Sequence, residues 1–102
     1  MIESEGFVIL VNKPGRSLLH ELHTAVDELD ACHQSIVRLR KHYRMITKEA
    51  ARQKVLDCIH AYSDQYARVM RYDIPDLVRL IRDTGDSVPH DLVQRLRAHY
   101  GR

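Results

Sequence analysis

The chain has 102 residues, 44% of them hydrophobic and 29% charged, with a formal net charge of +2. That length allows at most one small domain, and the balance of apolar and charged residues excludes a disordered chain. The charge is too mild to specify nucleic acid by itself, and two Cys are too few for a secreted disulfide scaffold.

The sequence opens "MIESEGFVILV". Its start is acidic where a secretory signal needs cations, and the apolar run is shorter than a signal's core. Nothing approaches the length of a membrane-spanning helix. The expected setting is therefore cytoplasmic, without a membrane. "GFVILV", over residues 6–11, is continuous, apolar and β-branched, and reads as a strand-like arm. Pro14 and Gly15 end it. No second strand is evident, and a lone strand cannot satisfy its own backbone N–H and C=O groups. Pairing with a second copy is the economical solution, and an unpaired extended arm is the alternative. Phe7, Val8 and Ile9 are the candidate contacts of this arm.

Ser17 is placed to cap a long first helix ending near Met45, with Glu21 in its first turn. Leu19, Leu22, Val26, Leu29, His33, Ile36, Arg40 and Tyr43 alternate at steps of three and four, a heptad seam. Leu18, Ala25, Cys32, Leu39 and Ile46 form a second row beside it, so the apolar face is wide enough for more than one neighbour. Thr47 is the expected cap of a second helix over residues 48–71. Ala51, Val55, Cys58, Ile59, Tyr62, Tyr66, Val69 and Met70 form its expected buried face. The short "MIT" connection makes the two an antiparallel hairpin. Two shorter helices complete the chain. One starts at Asp73 and Pro75 and stops at Gly85, and the other starts at Ser87 and Pro89 and stops at Gly101. The predicted fold is all-α: an arm and turn over residues 1–16, a helical hairpin over 17–71 and two short helices over 73–101, together one domain.

Four kinds of chemistry can be weighed on these residues. "HELH" sets His20 and His23 one helical turn apart, but the spacing is not that of the zinc motif H-E-x-x-H. The hairpin would bring Cys32 and His33 level with Cys58 and His60. Neighbours on a helix diverge by about 100° each, so the four cannot converge on an ion. No metal and no cofactor are expected; Cys32 and Cys58 read as core thiols, with a disulfide between them conceivable across the hairpin. No nucleophile elbow, phosphate-binding loop or C-x-x-C is present, so no catalytic residue is proposed. Asp27, Glu28 and Asp30 read as a solvated charge run.

Binding is the remaining class. Arg38, Arg40, Lys41, Arg44, Lys48, Arg52 and Lys54 surround the hairpin turn against Glu49 alone. Arg38, Lys41, Arg44 and Lys48 are the candidate contacts for nucleic acid or an acidic partner. Arg95, Arg97 and Arg102 form a second basic patch. The last two helices resemble a DNA-binding helix-turn-helix only in outline, because Ile81 and Asp91 have the wrong character at the turn. The first helix is acidic in its front half and basic in its rear half, a pattern matched when two copies lie antiparallel. His33 and Arg40 fit poorly in a dry seam, and an interface tolerates them better. His33, Ile36, Arg40 and Tyr43 are therefore the candidate seam contacts. The sequence predicts a homodimer and a non-catalytic adaptor or regulator, acting by covering an interaction surface of a transcription regulator or an enzyme. Nucleic-acid binding through the basic cap is the alternative.

Overall fold

A computed structural model of the chain describes residues 17–101. Among these residues all regular structure is helical. The strand-like arm, with Phe7, Val8 and Ile9, lies outside them.

Helix α1 runs Leu18–Met45. Ser17 adopts an extended backbone, and its hydroxyl accepts the His20 N–H at 3.0 Å, satisfying one of the donors that every helix start leaves open. Helix α2 spans Glu49–Arg68 and begins after Lys48, without the Thr47 cap expected. It does not end before the next helix. A single π-helical turn, Val69–Asp73, joins it to α3, Ile74–Asp83. The turn widens because Pro75 has no N–H to donate and its ring crowds the carbonyl one turn back. The Ile74 N–H bonds instead to the Val69 carbonyl, five residues back. In that register the Met70 carbonyl would be due a donor from residue 75, which proline lacks, and the Tyr100 hydroxyl supplies one. The expected break at Asp73 is thus a bulge in one long helical run. The polypeptide turns at Gly85, whose φ of 88° lies in the left-handed region that glycine adopts without strain. Helix α4, His90–Tyr100, follows after Pro89.

Two helical runs flank α1. The α2–π–α3 run lies antiparallel to it. The Gln65 amide donates to the Glu28 carboxylate, and Leu18 and Leu19 adjoin Ile81 at the far end. Helix α4 lies parallel to α1 on the other flank, with Arg95 level with Asp27 and His99 level with Asp30. The core fills the space between the three: Leu22, Ala25, Val26 and Leu29 of α1 meet Val69, Ile74, Ile81 and Leu92.

The wide apolar face of α1 is therefore used, but only over its first two-thirds. Its last buried residue is Ile36, the first on α2 is Ile59, and no residue from 37 to 58 is buried. The far end of the hairpin projects as a two-helix tip. On α2 the buried face is rotated from the expected one. Cys58 and Tyr62 are exposed, Leu56 and Ser63 are half-buried in their stead, and both Cys32 and Cys58 are free thiols.

The division between base and tip predicts unequal mutational costs. Leu92→Ala, which empties a fully buried site, should lower the unfolding free energy by about 2–5 kcal/mol. Val37→Ala, at the exposed tip, should change it by less than about 0.5 kcal/mol. Urea denaturation of the two variants checks both values.

Candidate functional site

The most buried polar side chain described is His99, 5% exposed near the end of α4. Its Nε2 lies 2.7 Å from Asp30 Oδ1 on α1, and its Nδ1 lies 2.7 Å from the Tyr66 hydroxyl on α2. An ionised carboxylate only accepts, so with neutral imidazole Nε2–H donates to Asp30 and Nδ1 accepts the Tyr66 hydroxyl. The second Asp30 oxygen accepts from Arg95 at 2.7 Å, and the same guanidinium nitrogen reaches Asp27 at 2.7 Å. The His33 ring closes the cluster, with centroids 6.1 Å from His99 and 6.4 Å from Tyr66. Three helices thus share one polar chain. Burial alone would raise the Asp30 carboxyl, but hydrogen bonds from Arg95 and His99 outweigh it and hold Asp30 below the usual carboxylate range. The same bonds, to Asp30 first and Asp27 second, push the Arg95 guanidinium up.

The order carboxylate, imidazole, hydroxyl is also that of a nucleophile with its base and orienting group. Here the same order links α4 to α1 and α2. Asp27, Glu28 and Asp30, expected as a solvated run, are partners of Arg95, Gln65 and His99; Asp27 is exposed as expected, whereas Glu28 and Asp30 are half-buried. Arg95 likewise leaves the expected second basic patch. Among the described residues no group of three or more His, Cys, Asp or Glu could hold a metal ion. Burial, and then the Glu28 carboxylate, pushes the Cys32 thiol up, so it stays protonated and unreactive.

The point where α4 stops explains Arg40. Leu19, Val26, His33 and Arg40 lie one heptad apart on one row. Val26 packs in the core that Leu92 of α4 joins, and His33 meets the His99 ring. Arg40 lies about 10.5 Å further along the axis, past Tyr100, where α4 has ended. It is exposed, not seated in the seam, and Leu39, Tyr43 and Ile46 on the neighbouring side of α1 are half-buried there. Leu22, Val26 and Leu29 of the seam are buried, and of the four candidate seam contacts only Ile36 is; His33 and Tyr43 are half-buried. The Arg52 guanidinium lies 4.5 Å over the Tyr43 ring, tying the tip together.

Beyond the end of α4 the uncovered flank of α1 forms a shallow, open groove of about 410 Å³ between side chains of that one helix, His33, Gln34, Val37, Arg38 and Lys41. Val37 is 39% exposed. Arg38, Lys41, Arg44 and Lys48 are all exposed. Among the described residues no salt bridge involves any of these four cations. The groove thus joins two of the expected cationic contacts to one expected seam residue, His33. Val37 and Gln34 were missed because they lie off the heptad rows, and only the stopping point of α4 gives them significance.

The polar chain predicts a pH dependence. Asp30 has a folded-state value below its unfolded one, so its contribution is complete above the unfolded value and is lost as pH falls through the folded one. Stability should therefore decline as pH drops below about 4, and Asp30→Asn should flatten that decline while lowering stability at neutral pH. Urea titrations of both proteins across the acid range measure it.

Comparison with family models, with curated proteins and with solved structures finds no match, so the functional reading rests on this chain's own residues.

Proposed function

We propose that this protein is a non-catalytic adaptor or regulator that binds another protein through the projecting hairpin tip. The partner lays a helix with an acidic flank into the α1 groove beyond the end of α4. One observation carries the reading: the cover that α4 gives α1 stops at His33, while the apolar and cationic surface of that flank continues through Val37, Arg38 and Lys41. A two-helix tip with no buried side chain has apolar surface still to cover, and a third helix is the usual means. Seven cations between residues 38 and 54 against Glu49 alone give the partner its sign. Such a contact acts by occlusion, covering whatever surface the partner's helix would otherwise present.

The expected homodimer would use the same face. Its antiparallel charge match is weakened, because Asp27 and Asp30 are already engaged by Arg95 and Glu28 by Gln65. The exposed cations of the tip favour nucleic acid as the second reading, since phosphate contacts need nothing more specific.

A photo-crosslinking residue at position 37 separates these readings in the cell of origin. The expected product is an adduct with a different protein, at least tenfold weaker when Arg38, Lys41, Arg44 and Lys48 are changed to Glu. An adduct between two copies would establish the homodimer there instead. No protein adduct, together with binding of duplex or single strands that weakens steeply with salt, would establish the second reading.

A further inference from the structure

We infer that the groove between α3 and α4 is a second docking surface, one that receives an amphipathic helix with acidic flanks from another protein. Both helices pack on α1, yet no Cα of α3 lies within 8 Å of a Cα of α4. Helices in direct contact bring their axes to about 8–10 Å and their backbones closer still, so this pair stands wider apart and leaves a groove between. Val78, Leu96 and Tyr100 form an apolar floor shared by two adjoining hollows of about 430 and 230 Å³. Arg79, Arg82 and Arg97 stand exposed on the rim, with Asp83 as the one carboxylate among the lining residues. None of these residues lines the groove at the tip.

The character of the occupant follows from the groove. Helices α3 and α4 satisfy their own backbones, so an incoming segment must satisfy its own, which a helix does. A helix laid between two others reaches both with one apolar stripe. Tyr100 supplies a fixed wall. Its hydroxyl is bonded to the Met70 carbonyl while the residue stays 47% exposed, so its ring is already ordered and loses little freedom on binding. The rim sets the sign of the flanks. Arg79 pairs with Asp76 at 3.1 Å, but among the described residues no salt bridge involves Arg82 or Arg97. Arg82 stands on α3 and Arg97 on α4, so each helix brings a cation to the rim, and a guanidinium fork fits a carboxylate. A nucleic acid would meet these cations and leave the apolar floor uncovered.

Two synthetic peptides of about four helical turns test this. Both carry Leu along one face; the flanks are Glu in one and Lys in the other. The host is the full chain with Arg38, Lys41, Arg44 and Lys48 changed to Glu, which removes the tip as a competing site. By fluorescence anisotropy the Glu peptide should bind this host about tenfold tighter than the Lys peptide. Adding Arg82→Glu with Arg97→Glu should reverse that preference, with helicity checked by circular dichroism. A Glu peptide with Ser in place of Leu should bind about tenfold more weakly, and amide exchange in α3 and α4 should slow when the Leu form is added. No binding to the host up to about 1 mM peptide would overturn the inference, and binding kept by the native chain would then place the peptide at the tip alone. Equal binding by host and native chain, with one peptide on each, would sink the tip reading and leave this one standing. Equal affinity of the Ser and Leu forms would overturn the inference in favour of charge alone. Dimers of the host that are lost with Arg82→Glu and Arg97→Glu would overturn it in favour of a second copy.

Discussion

The rest of the molecule depends on one imidazole. Helix α4 has only 11 residues and no side-chain cap at its start, and a helix that short is marginal in water without tertiary contacts. Leu92 anchors its first turn in the core, and His99 anchors its last between Asp30 and Tyr66. A buried imidazole with both nitrogens satisfied fixes direction as well as distance, because each hydrogen bond works only within a narrow angle. It sets α4 parallel to α1 and level with His33, and so decides where the three-helix base ends and the two-helix tip begins.

A second constraint acts from the opposite flank. Pro75 forces the helical run beside α1 to widen by one residue at Val69–Asp73, and the Tyr100 hydroxyl answers the carbonyl affected. Burial, and then the nearby Tyr66, pushes the Tyr100 phenol above its usual range, so it remains a donor. His99 and Tyr100 are neighbours in sequence. One end of α4 thus secures α1, α2 and the π turn together, and it does so with side chains that local helix rules read merely as polar ends of a helix.

Much of the fold was legible because its signals are local. Ser17, Met45, Gly85 and Gly101 mark helix ends through backbone chemistry confined to a few residues, and the seam from Leu22 to Ile36 follows from periodicity. The polar chain was not legible. His99 and Asp30 are 69 residues apart in sequence, and no period connects them. Two stretches of the chain, "RLRKHY" over residues 38–43 and "RLRAHY" over residues 95–100, show the same limit. Nearly identical letters put His42 in solvent and His99 in the interior, and leave Arg38 exposed while Arg95 bridges two carboxylates. The misfit of Arg40 was read from the correct row. Its resolution needed the end point of another helix. Likewise Cys58 and Tyr62 were assigned to the core on the assumption that α2 is covered evenly, whereas only the side toward α1 is.

The unburied stretch from 37 to 58 also bears on how this protein can change over generations. Large losses of stability come from cavities, orphaned polar groups and broken networks, and the tip holds few of the groups that cause them. Substitutions there leave the base folded, so selection can rewrite the tip's charge and shape almost freely. The triad of contacts around His99 admits no such drift. On the reading proposed above, a lineage could therefore exchange one partner for another by altering residues of the tip while the scaffold beneath stays fixed.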